Sequence, residues 1–128
     1  MGAGKVLATD VDDNCRDAVE ENLKLNDIYE GDFKLVIGNV LTDEELAEDI
    51  GLGAYDIVIA NILAPVIESL AGSGMADRFL KPGGLFITSG IIDEKEEEVL
   101  KAFEANKVFE VVEINRMGEW VNITAMKL

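Results

Sequence analysis

The seven residues Tyr55-Asp56-Ile57-Val58-Ile59-Ala60-Asn61 constrain the fold more than any other stretch of this chain. The run is rich in β-branched side chains, too short for a helix, and almost wholly apolar. A strand with one face in water alternates apolar and polar residues. A strand apolar at successive positions belongs in a parallel sheet covered on both faces. Pro65 follows closely and suits the first turn of a helix, where its missing N–H costs nothing. Strand, tight loop and helix together make the repeating unit of an α/β fold.

The rest of the chain repeats that unit. Residues 5–10 read as a buried strand. Asp13-Asn14 offers an N-cap to a helix in which Cys15, Val19 and Leu23 recur at helical spacing, with Asn26-Asp27 closing it after Leu25. Phe33-Lys34-Leu35-Val36-Ile37 is a second strand. Thr42-Asp43-Glu44-Glu45 has the form of a capping box opening a short helix to about Ile50. Beyond the central strand, the Pro65 helix carries Val66, Ile67, Leu70 and Met75 toward Phe79-Leu80. Lys81-Pro82-Gly83-Gly84 is a turn, and Leu85-Phe86-Ile87-Thr88-Ser89 is a strand. Asp93 begins an acidic helix with Val99, Leu100 and Phe103 on its apolar face. Residues 108–114 and 120–126 are strands with no helix between them, which predicts a hairpin and an antiparallel final strand. The expected class is therefore α/β: a doubly wound, mostly parallel sheet with a C-terminal antiparallel hairpin, in one domain over residues 1–128.

Composition excludes more than it assigns. The chain has one cysteine and no histidine, which removes an intrachain disulfide, a Cys/His zinc site and the Ser-His-Asp and Cys-His nucleophile systems. No metal constellation is evident. The net charge of -15, from 26 acidic and 11 basic residues, repels a phosphate backbone and favours a basic partner over nucleic acid. No apolar run approaches the length of a membrane span, and the opening residues do not form a signal peptide, so a cytoplasmic location is expected. Cys15, with nothing to activate it, reads as a small packing residue. Trp120 reads as core or edge packing, and the acidic run from Asp93 to Glu98 as a solvated helix start.

Ligands of open α/β sheets bind beyond the carboxyl ends of the strands. Here those ends read Asp10-Val11-Asp12, Gly38-Asn39-Val40, Asn61-Ile62-Leu63-Ala64 and Ser89-Gly90-Ile91. A carboxylate at Asp10 can accept both hydroxyls of a ribose, or it can simply cap the next helix. Asn39 can touch a base, or it can be a turn residue. The Asn61 side chain offers an acceptor and a donor, so its carbonyl could hold an amine with the lone pair aimed at a methyl group; it too could serve only the turn. Gly2-Ala3-Gly4-Lys5 precedes a strand instead of following one, and so is not a nucleotide glycine loop.

These segments, in this order, resemble the PrmA family of ribosomal-protein methyltransferases, which belongs to the class I S-adenosylmethionine-dependent enzymes. The resemblance rests on Val6-Leu7-Ala8-Thr9-Asp10-Val11-Asp12, Ala18-Val19-Glu20-Glu21-Asn22 and Tyr55 through Ala64. It continues through Lys81-Pro82-Gly83-Gly84, Ser89-Gly90-Ile91 and Glu119-Trp120-Val121-Asn122-Ile123-Thr124. It implies that Asp10 binds the ribose of S-adenosylmethionine, Val11 packs on the adenine and Asn39 lies near that ring. Asn61 would both bind the cofactor near its methyl donor and, as the catalytic residue, orient the acceptor nitrogen, with Ile62 and Leu63 lining the same substrate loop. The implied activity is N-methylation of a basic ribosomal protein, with no direct nucleic-acid or membrane partner.

Class I domains begin with a strand, a glycine-rich loop and a helix that this sequence lacks. The family's small N-terminal substrate domain is missing too. The expectation is a truncated domain, weak or inactive alone. Its strands ending at Asp10 and Asn61 would each have an open edge prone to pair in a homodimer. Two other readings stay open: a non-catalytic α/β interaction module, and a class I methyltransferase of another substrate.

Overall fold

The computed structural model describes residues 2–29, 31–72 and 75–128, which divide into two compact units, Met1–Ile50 and Gly51–Leu128. The first unit holds β1 (Val6–Asp10), α1 (Cys15–Leu25), β2 (Phe33–Ile37) and α2 (Glu44–Ile50). β1 and β2 form a two-stranded parallel sheet with Asp10 opposite Ile37. α1 ends as the sequence implies: Asp27 takes a left-handed φ of 53°, and the Ile28 N–H turns back to the Leu23 carbonyl at 2.9 Å.

Burial here departs from expectation. No residue of β1 is buried, α1 buries none, and Ala47 is the one buried apolar side chain described in this unit. A single pair of short strands has too little area to enclose a two-sided parallel core.

The second unit holds β3 (Tyr55–Asn61), α3 (Ala64–Gly72), α4 (Ala76–Phe79), β4 (Leu80–Ile92), α5 (Glu96–Ala105), β5 (Phe109–Met117) and β6 (Trp120–Lys127). A 3-10 turn over Asp93–Lys95 leads into α5. The strand order is β3-β4-β6-β5, with β3 parallel to β4 and β6 antiparallel to both neighbours. The hairpin is the predicted one, closed by Gly118-Glu119 with Gly118 at φ 60°, and its second strand inserts between β4 and β5. The α/β class and the antiparallel ending stand.

The helix expected to run from Pro65 to Phe79 is two helices, because α3 stops at Gly72, a poor helix residue; Ser73 and Gly74 lie outside the described residues. Lys81-Pro82-Gly83-Gly84 does not end a strand. It is a bulge within β4, where the register jumps from Tyr55 opposite Leu80 to Ile57 opposite Leu85. Gly84 is obligatory there, since a Cβ would stand 2.9 Å from the Lys81 carbonyl and 3.0 Å from that of Asp56.

The core of this unit is built on three rings. Phe86, Phe103 and Phe109 meet pairwise with centroids 5.6 to 5.8 Å apart, and Ile67, Leu80, Ile91, Val99 and Ile123 are fully buried in the same unit. Thr88 and Thr124 are the buried polar residues among those described, and the Thr88 hydroxyl donates to the Ile123 carbonyl at 2.8 Å. Lys127 snorkels its ammonium into the junction of α4 and β4, donating to the carbonyls of Asp77 and Leu80 at 2.8 and 2.9 Å. Asn106 donates to the Ala71 carbonyl at the end of α3, a helix end that needs such a partner.

β3 is an edge strand, bonded to β4 on one side and to no strand on the other among the described residues. Against the expectation of a strand covered on both faces, Ile57 is 51 % exposed and Ile59 69 %, so one face of the most apolar run in the chain lies bare. β1 likewise pairs on one side alone. These are the two strand edges that the sequence reading left open.

Candidate functional site

In the first unit, parallel pairing brings the ends of β1 and β2 side by side, and the Gly38 N–H donates to the Asp10 carbonyl at 2.8 Å. Asp10, Val11 and Asn39 therefore gather at one sheet edge, all exposed; Val11 is 69 % open to solvent. Asp10 is oriented by its own loop: Oδ1 accepts the Asp12 N–H at 2.9 Å, an Asx turn that keeps the carboxylate over the strand end. Asn39 does the same on β2, its Oδ1 accepting the Leu41 N–H at 3.0 Å, which leaves its amide group as the outward donor.

The capping expected of Asp13-Asn14 does not occur. Asn14 is already helical, at φ -65° and ψ -17°, whereas a capping residue needs an extended backbone for its side chain to reach back. Asp12 instead accepts from both the backbone and the side-chain nitrogens of Asn14, and Asp13 pairs with Arg16 at 3.1 Å. On α2 the capping oxygen belongs to Asp43, which accepts the Leu46 N–H at 3.0 Å, and not to Thr42.

Cys15 sits half-buried behind Asp10. Partial burial pushes its thiol pKa up, as do the negative charges of Asp10 and Asp12 and a hydrogen bond to Asp10, with Arg16 opposing. It is held as a neutral thiol, the opposite of an activated nucleophile.

In the second unit, Asn61 ends β3 opposite Ser89 of β4. The Asn61-Ile62-Leu63-Ala64 loop turns at once into α3, with the Leu63 carbonyl accepting the N–H groups of Val66 and Ile67 at 3.0 and 3.2 Å. Asn61, Ile62 and Leu63 are exposed, Leu63 at 75 %. Gly90, at φ 79°, lies beneath this loop; a Cβ there would stand 2.8 Å from Asn61 Oδ1 and 3.3 Å from the Ile62 carbonyl. The two segments most particular to the resemblance, Asn-Ile-Leu-Ala and Ser-Gly-Ile, are thus in contact. Gly90 was not among the site residues read from the sequence, although a glycine inside a strand is a signal of close approach. Trp120, expected to pack, is half exposed beside Met117 at the hairpin turn.

The model of one protein family, ribosomal protein L11 methyltransferase (PrmA), matches residues 1–128. The chain belongs to this family. It is 49 % identical over 128 residues to the ribosomal protein L11 methyltransferase of Agathobacter rectalis, covering all of this chain and 39 % of that protein. The match to the protein of the same name in Lachnospira eligens is 47 % over 126 residues, 98 % of this chain and again 39 % of the relative. The crystal structure of the ribosomal protein L11 methylase of Lactobacillus delbrueckii subsp. bulgaricus superposes with a TM-score of 0.81 at 32 % identity. It covers 98 % of this chain and 59 % of that one. The chain thus spans about two fifths of the length of these curated relatives. Among the described residues, no helix is long and apolar enough to cross a membrane.

Proposed function

We propose that residues 1–128 form part of the catalytic domain of an S-adenosylmethionine-dependent protein N-methyltransferase, contributing its adenosine-side and acceptor-side strand ends. One observation carries the reading: the Asn61-Ile62-Leu63-Ala64 loop caps the carboxyl end of β3 and rests on Ser89-Gly90, within a chain that matches the PrmA family from end to end.

The residues fit the cofactor. The exposed Asp10 carboxylate retains acceptor capacity for ribose hydroxyls beside its bonds to the Asp12 N–H and the Cys15 thiol, since an ionised carboxylate has about four lone-pair sites. Val11 offers bare apolar surface for a purine face, and the free amide of Asn39 suits a ring nitrogen. When bound, S-adenosylmethionine supplies a methyl group already activated on a sulfonium. What remains for the chain is placement, which is worth several kcal/mol of barrier in well-oriented reactions. Asn61 Oδ1 accepts an N–H of the incoming amine and so fixes where its lone pair points. Ile62 and Leu63 provide apolar walls for the aliphatic stem of a lysine.

The substrate we propose is a basic ribosomal protein of the L11 type, the substrate named for the relatives. A net charge of -15 favours such a target and implies salt-sensitive association. A ribosomal substrate implies a cytoplasmic location.

Calorimetric titration of the chain with S-adenosylmethionine tests the reading. A dissociation constant in the micromolar range is expected, weakened at least about tenfold, or ~1.4 kcal/mol, by Asp10→Ala. An intact fold with no heat of binding would overturn the cofactor role for this chain and favour an interaction module.

A further inference from the structure

We infer that Gly90 is a positioning residue, whose missing side chain seats the Asn61 carboxamide over the end of β4. Asn61 ends an edge strand, and its side chain is exposed, so packing from above does not hold it. Beneath it lies the bare face of Gly90, which leaves the room that the carboxamide occupies. The ideal Cβ position on Gly90 lies 2.8 Å from Asn61 Oδ1, 3.3 Å from the Ile62 carbonyl and 3.7 Å from the Ile62 nitrogen. Any side chain at 90 would press first on Asn61 Oδ1, the atom assigned to the acceptor amine, and then on the backbone of the substrate loop.

Gly90 also sits where the β4–β6 register shifts between Thr88 and Ile91, at φ 79°. That irregularity turns the backbone so that the bare face of the glycine looks toward Asn61. The role rests on the methyltransferase reading for its purpose, but the contact itself stands without it.

The same strand supplies an internal control. Gly83 has a nearly equal φ, 83°, and open space where a Cβ would go. Alanine at either position meets strain from a positive φ. Only alanine at 90 meets Asn61.

The test compares Gly90→Ala, Gly83→Ala, Asn61→Ala and the Gly90→Ala/Asn61→Ala double variant in the 128-residue chain. The side-chain amide resonances of Asn61 are expected to shift in Gly90→Ala and to stay in place in Gly83→Ala. The loss of stability caused by Gly90→Ala should shrink in the Asn61→Ala background. If Gly90→Ala does not fold, the double variant is expected to fold. Unmoved Asn61 resonances with an additive cycle, or a double variant as unfolded as the single, would overturn the inference. S-adenosylmethionine affinity supplies the functional readout: at least a tenfold loss for Gly90→Ala and less than twofold for Gly83→Ala. Equal losses in the two variants would overturn the positioning role. A wild-type chain that binds no cofactor defeats the methyltransferase reading, and the resonances and the cycle still decide the contact.

Discussion

The units Met1–Ile50 and Gly51–Leu128 are built from the same strand–helix grammar and reach different degrees of closure. The larger unit stacks four strands against α3 and α5 and encloses three phenylalanines. The smaller has two strands, and Ala47 is its one buried apolar residue among those described. Asp10, Val11 and Asn39 lie on the smaller unit; Asn61, Ile62 and Leu63 lie on the larger. The lesson is that a strand-end pattern legible in the sequence can stand on a unit that buries very little apolar surface of its own.

The largest expected effect concerns the open edges. With β1 and β3 each paired on one side, and Ile57 and Ile59 bare, the isolated chain is expected to associate through strand edges. Light scattering should show twice the chain mass, more completely at high salt, where the -15 charges repel less. A clean monomer with β3 protected from hydrogen exchange would break this expectation.

Next in size, Phe103→Ala is expected to cost about 3–5 kcal/mol in urea unfolding, as deletion of a fully buried ring does. Leu35→Ala, on half-buried β2, should cost no more than about 1 kcal/mol. Comparable losses would show that the smaller unit has a core after all. Lys127→Met sharpens the contrast at the level of one polar junction: it removes the donor from two carbonyls and should cost about 1–3 kcal/mol.

The smallest effect is chemical. The Cys15 thiol pKa is raised by partial burial and by Asp10 and Asp12, so the folded state holds that proton more tightly than the unfolded chain. Its contribution to stability is present below the unfolded pKa and fades as pH rises through the raised value. Alkylation by iodoacetamide near pH 8.5 should be slower in the folded chain than in urea, and Asp10→Asn should speed it. Equal folded and unfolded rates would contradict the described surroundings.

What the sequence could tell depended on whether the information was local. β3 was legible because Ile57-Val58-Ile59-Ala60 admits one reading, and the strand ends at Asp10, Asn39 and Asn61 follow from the α/β rule for ligand edges. The hairpin was legible from two strands flanking Met117-Gly118. Its placement was not: nothing in Trp120 to Lys127 says that this strand, and not β5, faces β4. The Lys81–Gly84 bulge looked like a turn because Pro and Gly mark both. Asn14 has the chemistry of a cap, and only its backbone dihedrals remove it from that role. The seat beneath Asn61 required knowing that residue 90 lies under residue 61, a fact of register across 28 intervening residues.

The insertion of β6 between β4 and β5 also sets an order of events during synthesis. β4 is available early, but its second edge has no mate until β6 exists, and β5 has none at all before then. While β6 is still inside the ribosomal tunnel, the emerged chain carries the apolar edge of Leu85 to Ile92 unpaired. This is a window in which a chaperone, or a neighbouring nascent chain, competes for the place of the strand not yet made.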